Sequence, residues 1–198
     1  MKFNQSIQVI FFSLIITFAT TTKILAVEKL KEQHYNNDEE KIKKGKQCIS
    51  RYKEKVTAKV AEDWDSVIRL SKLASLECKN IFDDKFTSEI HQDLANAYYA
   101  QSKFKDALLV SNTCTAVYYA NYGCHIEKSR ALIALGKKVE AKESLRISKK
   151  IGELALDDAH RNLQKATSEN DKELYTLTIS NIKVHIQLID VLSKVLAQ

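Results

Sequence analysis

Apolar residues recur along most of this chain at intervals of three and four, the spacing that lines one face of an α-helix. From residue 48 onward Ile49, Tyr52, Val56 and Val60 are followed by Trp64, Val67, Ile68, Leu70, Leu73 and Ala74. Residues 143–166 carry the same rhythm through Leu145, Ile151, Leu154, Ala155, Ala159, Leu163 and Ala166, with only Gly152 to soften the run. Thr167-Ser168-Glu169-Asn170-Asp171 then breaks it with short polar side chains suited to a helix start. Beyond the break, 171–196 align Leu174, Thr178, Ile182, Ile186, Ile189, Leu192 and Leu196. Two stretches depart from the pattern: 7–19 are almost continuously apolar, and 27–47 are charged and weakly patterned.

Composition removes the competing fold classes. The 198 residues include no proline and four glycines, with 44% apolar residues. Sandwiches, barrels and doubly wound sheets need turns rich in those two residues, so an all-α chain with one sizeable core remains. Charged residues make up 28% in both signs, which suits solvated helix faces rather than disorder. The net charge is +6, from 31 basic and 25 acidic residues. Its short basic clusters, Lys41, Lys43, Lys44 and Lys46, then Arg146, Lys149 and Lys150, lack the interleaved aromatics of a nucleic-acid surface, so no nucleic-acid partner is expected.

The apolar stretch 7–19 follows Lys2, is too short to span a bilayer, and leads to Ala26 ahead of the charged Val27-Glu28-Lys29. This predicts a secretory signal peptide over 1–26 cleaved after Ala26, an uncleaved anchor being the alternative. Its removal takes Lys2 and Lys23 and leaves a charge of +4. No stable membrane span is expected in the mature protein, which should be periplasmic or secreted. All four cysteines, Cys48, Cys78, Cys114 and Cys124, lie in the mature part, and an even number in an oxidising compartment favours disulfides. Three connectivities are open, and spacing does not choose among them.

The middle of the chain repeats. A shift of 34 residues carries Ala97 onto Ala131, Ala107 onto Ala141 and His91 onto His125. A third copy aligns Trp64-Asp65-Ser66-Val67 with Phe104-Lys105-Asp106-Ala107, 40 residues later, with the surplus expected as a loop around 81–87. A period of this length, a turn aromatic and a small residue early in the following helix resemble the tetratricopeptide repeat, over 48–155. Leu94, Ala95, Tyr98, Phe104 and Ala107 match the family's pattern in the second copy. Leu132, Gly136, Ala141 and Leu145 do so in the third, where Lys128 and Ser129 depart from it. The first keeps Ala58, Trp64 and Ala74, with Val67 in place of the small residue. The family's unit-ending proline is absent from every copy.

The resemblance implies a solenoid of about three helix hairpins, preceded by a charged spacer at 27–47 and closed at 156–198 by a capping helix pair. In that frame the first hairpin turns near Asp63, which sets Cys48 beside Cys78 at its open end. Cys114 and Cys124 flank the turn near Tyr119, so Cys48–Cys78 and Cys114–Cys124 are the implied pairs. The family's concave face, built by the first helix of each unit, implies a peptide-binding groove of Tyr52, Val56, Lys59, Glu89, Gln92, Asn96, Tyr99, Ile126, Arg130 and Ile133. The lysine and asparagine clamp that holds C-terminal carboxylates in some relatives is not reproduced.

Candidate chemistry is sparse. His34, His91, His125, His160 and His185 have no acidic or thiol partners at ligand spacing, so no metal is expected. Cys124 and His125 are helix neighbours that face different ways. No phosphate-binding glycine loop or nucleophile elbow is present, and no cofactor is expected. The expectation is a non-catalytic protein–protein interaction scaffold that takes a peptide or protein in its concave face. The alternative is an assembly or secretion factor that forms a homo-oligomer through its C-terminal helix.

Overall fold

A computed structural model describes residues 39–197. The expected signal peptide, His34 and residues 27–38 of the expected spacer lie outside them. Every element among the described residues is an α-helix: α1 (Glu39–Val60), α2 (Trp64–Glu77), α3 (Asp84–Ala100), α4 (Phe104–Val117), α5 (Tyr122–Ala134), α6 (Lys138–Lys165) and α7 (Glu169–Ala197). Each helix packs on the next; α3 also meets α5, and α5 meets α7. α1 starts inside the charged segment 27–47, and the boundary expected at 155/156 falls inside α6, which runs unbroken past Gly152.

Three helix pairs, α1–α2, α3–α4 and α5–α6, are joined by the same turn. The backbone N–H groups of Asp63, Lys103 and Lys137 reach back to the carbonyls of Ala58, Tyr98 and Leu132 at 3.0, 2.9 and 2.9 Å. One residue earlier, Glu62, Ser102 and Gly136 adopt left-handed φ values of 55°, 58° and 73° and donate to Lys59, Tyr99 and Ile133. This is the Schellman ending, in which two crossed hydrogen bonds satisfy carbonyls that the last helical turn leaves open. Only the third turn places glycine at the left-handed position, which is why a chain so poor in glycine still turns three times. Five residues past each left-handed position, Val67, Ala107 and Ala141 are fully buried where the second helix starts across the first.

The links between hairpins differ from one another. Asp83 caps α3 by accepting from the Phe86 N–H at 2.8 Å, and Asn121 caps α5 by accepting from Gly123 and Cys124. The loop expected around 81–87 is therefore shorter than its composition suggests. Residues 84–87 form the first turn of α3, and Phe86 is buried against Tyr52 and Phe82. Ser168 opens α7, accepting from the Asp171 N–H at 3.1 Å, as the polar break implies.

Cys48 is bonded to Cys78 and Cys114 to Cys124, with Cα separations of 5.1 and 5.7 Å. The first bridge ties the open end of α1–α2; the second ties α4 to α5. Both stand away from the three tight turns, the first joining the middle of α1 to the residue that follows α2. The core is divided along the array. Tyr52, Val56, Phe86 and Ile90 gather around the first disulfide. Val67, Leu70 and Ala97 follow, and Ile126, Leu132, Leu145, Ile189 and Leu196 join α5, α6 and α7.

Candidate functional site

Side chains from α1, α3 and α5 meet along one face. At its centre the Asp93 carboxylate is 1% exposed and receives two ammonium groups, Lys55 Nζ on Oδ2 and Lys59 Nζ on Oδ1, each at 2.5 Å. Lys55 is itself fully buried, with its Nζ 3.9 Å from the centre of the Tyr52 ring. Tyr52 donates through its hydroxyl to Glu89 at 3.4 Å. α1 and α3 are thus held by charge and aromatic contact together, an arrangement that needs both signs because one buried charge alone would be costly.

The next helix repeats the acid. A shift of 34 carries Asp93 onto Glu127, also buried, which accepts from Arg130 Nη1 at 3.0 and 2.8 Å. Burial raises the Glu127 carboxyl above its ordinary range, with Arg130 and Lys59 opposing that shift. Arg130 also donates to Asn96 Oδ1 at 3.1 Å and lies 4.1 Å over the Tyr99 ring. Three cations, Lys55, Lys59 and Arg130, therefore face two buried carboxylates. Lys59 and Arg130 each keep about a quarter of their side-chain surface, 24%, open to solvent.

The expected groove residues separate into two groups. Lys59, Gln92, Asn96, Tyr99 and Arg130 are half-buried on the shared face, with Glu89 beside them. Gln92 lies over the backbone of Gly123, close enough that a β-carbon there would collide with its amide. Tyr52, Val56 and Ile126 are instead buried core. Ile133 packs against the core cluster that joins α5, α6 and α7.

Sequence reasoning missed Lys55, Asp93 and Glu127. The recurrence of an acid at one position of the 34-residue shift was a readable signal for the last two. Nothing in the spacing marks Lys55, since a lysine on an amphipathic helix is ordinarily solvated.

His91 and His125 share a repeat position but not a site. His91 Nδ1 lies 3.0 Å from the Thr87 carbonyl in its own helix, and His125 Nε2 lies 3.0 Å from the Tyr119 carbonyl. Burial lowers both imidazoles below their usual value. Among the described residues no group of three or more His, Cys, Asp or Glu side chains could hold a metal ion. Chemically, the face can hydrogen-bond, stack and pair charge. Compared with known protein families, curated proteins and solved structures, the chain matches none.

Proposed function

We propose that this chain is an exported, non-catalytic adaptor of tetratricopeptide-repeat-like architecture that takes an extended peptide or a partner helix across α1, α3 and α5. The observation that carries this reading is the threefold recurrence of one turn, each at a hairpin's closed end, with α3 and α5 neighbours and α1 bonded to α3 by side chains. Gln92, Asn96 and Tyr99 offer amide and aromatic contact to an extended backbone. Arg130 and Lys59 are engaged by Glu127 and Asp93. A ligand carboxylate would have to compete with those acids, so backbone and aromatic contact should dominate recognition.

Export rests on the expected signal peptide and on two disulfides, which persist in oxidising compartments. No described helix is long and apolar enough to cross a membrane. The test is affinity capture by the 27–198 protein from its own cell-envelope extract, with bound proteins identified by mass spectrometry. Gln92→Ala combined with Asn96→Ala should abolish capture while leaving the helix content unchanged. Capture that survives the double substitution overturns the groove. Sequencing of the native N-terminus should begin at Val27.

A further inference from the structure

Arg130 uses only part of its guanidinium inside the fold. Its hydrogen bonds to Asn96 Oδ1 and to both Glu127 oxygens all leave from Nη1. No acceptor meets Nε or Nη2 among the described residues, and neither atom is sealed from solvent. The central guanidinium carbon lies 4.1 Å from the centre of the Tyr99 ring, and 24% of the side chain is exposed. A guanidinium stacked on a ring, held at one nitrogen and open along its Nε–Nη2 edge, is shaped for a carboxylate, which fits such an edge with two parallel hydrogen bonds. Arg130 also reaches from α5 onto Asn96 and Tyr99 of α3, with Lys59 of α1 on Asp93 beside it. It therefore stands in the middle of the face, where a peptide crossing all three helices presents an interior residue and not its end.

We propose that Arg130 binds an acidic side chain of the peptide along its Nε–Nη2 edge, and that Glu127 takes up a proton from solvent as it does so. This assignment rests on the α1–α3–α5 face being the peptide site. The charged groups acting on Glu127 are Arg130 of its own helix, Lys59 of α1 and Asp93 of α3. α4, α6 and α7 also pack on α5, and no charged group of theirs is among them. While Glu127 is ionised it already neutralises Arg130, and a second carboxylate on the same guanidinium meets its repulsion. Protonation removes that repulsion and leaves the Arg130 charge to the ligand. Burial raises the Glu127 carboxyl, so it takes the proton at a higher pH than an ordinary glutamate. By linkage the ligand favours the proton as much as the proton favours the ligand, and one proton limits the gain in affinity to about tenfold per pH unit.

The probe is the tripeptide alanyl-aspartyl-alanine, acetylated and amidated at its ends, titrated into the purified protein at constant ionic strength while NMR reads the Arg130 guanidinium and the Glu127 carboxyl. Its own acid, with an ordinary value of about 3.9, stays ionised from pH 7 to pH 5. Affinity should rise about tenfold or more over that interval, and Glu127 should protonate at higher pH with the peptide bound. Glu127→Gln, neutral at every pH, should bind at pH 7 as tightly as the unaltered protein does at pH 5. Adding Arg130→Gln to it leaves no buried charge alone, and should abolish binding with helix content unchanged. Equal affinity at the two pH values, pH dependence that survives Glu127→Gln, equal binding of the asparaginyl counterpart, or preference for trialanine with a free C-terminus would each overturn the proposal. Partner capture that is lost in the Gln92→Ala and Asn96→Ala variant yet indifferent to pH overturns this proposal alone. Capture that survives those two substitutions takes the groove reading with it.

Discussion

Between α1 and α3 the contact runs through charge. One buried aspartate holds two lysines, one of them wholly out of solvent, and a disulfide closes the open end of the hairpin beside it. Between α5, α6 and α7 it runs through aliphatic side chains. The α6–α7 ion pair, Lys149 with Asp190 at 2.8 Å, is almost half exposed on both sides, and neither disulfide reaches α6 or α7. Ion pairs of similar length thus have opposite importance at the two ends. Where α1 meets α3, losing one partner strands a charge in the interior; where α6 meets α7, water replaces the partner.

The largest expected effect separates those two cases. Asp93→Ala should lower unfolding free energy by about 3–5 kcal/mol, because Lys55 loses its counter-charge in a buried position. Asp190→Ala should cost under about 1 kcal/mol. Urea denaturation of both variants measures the difference, and equal losses would remove the distinction between the ends.

The disulfides give the next effect. The bridges span 30 and 10 residues. On the chain-entropy model, replacing Cys48 and Cys78 by alanine should cost about 4 kcal/mol, and replacing Cys114 and Cys124 about 3 kcal/mol. A larger loss from the second pair would move the more important staple to the middle of the array.

The tight turns should respond more weakly and in opposite directions. Ser102→Gly relieves a left-handed side chain and should stabilise by about 0.5–1 kcal/mol, whereas Gly136→Ala introduces that strain and should cost about 1 kcal/mol. No neighbouring atom crowds Gly136, so φ alone sets its effect. Thermal melts of the two variants test whether the turns are energetic equivalents as well as geometric ones.

The smallest expected effect is with pH. His91 and His125 have folded-state pKa values below the usual 6.5, so the unfolded chain binds more protons in that window, and stability is complete above about pH 6.5 and falls as pH drops below it. Glu127 acts oppositely. Its folded-state pKa lies above the usual 4.5, so the folded chain holds the proton longer and stability declines as pH rises through that window. In Glu127→Gln, which removes the opposing carboxyl, the urea midpoint should rise from pH 5 and level off above about pH 6.5.

The helical periodicity and the recurrence at 34 residues were legible because burial of one face fixes spacing, and spacing is visible in a string of letters. The same frame implied both disulfides, since a hairpin's turn fixes which residues share its open end. Three features were not legible for physical reasons. Phe86 reads as loop in a polar segment, yet a single aspartate cap at Asp83 starts the helix early enough to bury it. Lys55 reads as solvent-facing, because its burial depends on an acid supplied from another helix 38 residues away. Ile133 reads as groove lining, but it packs against a core cluster to which α6 and α7 contribute, a tertiary event that no local pattern announces.

α6 belongs to two packing units at once. Its 28 residues bring Ser148 into a hydrogen bond with the Tyr122 carbonyl of α5, and Gly152 beside Ile186 of α7 at 3.5 Å from its would-be β-carbon. Opening the last hairpin therefore exposes the seat of α7, and releasing α7 uncovers a flank of the last hairpin. Amide exchange should consequently report α5, α6 and α7 opening with one shared free energy, while α1 and α2 exchange on a separate scale. The array ends in a single cooperative block, and loss of any one of its three helices is felt as loss of the block.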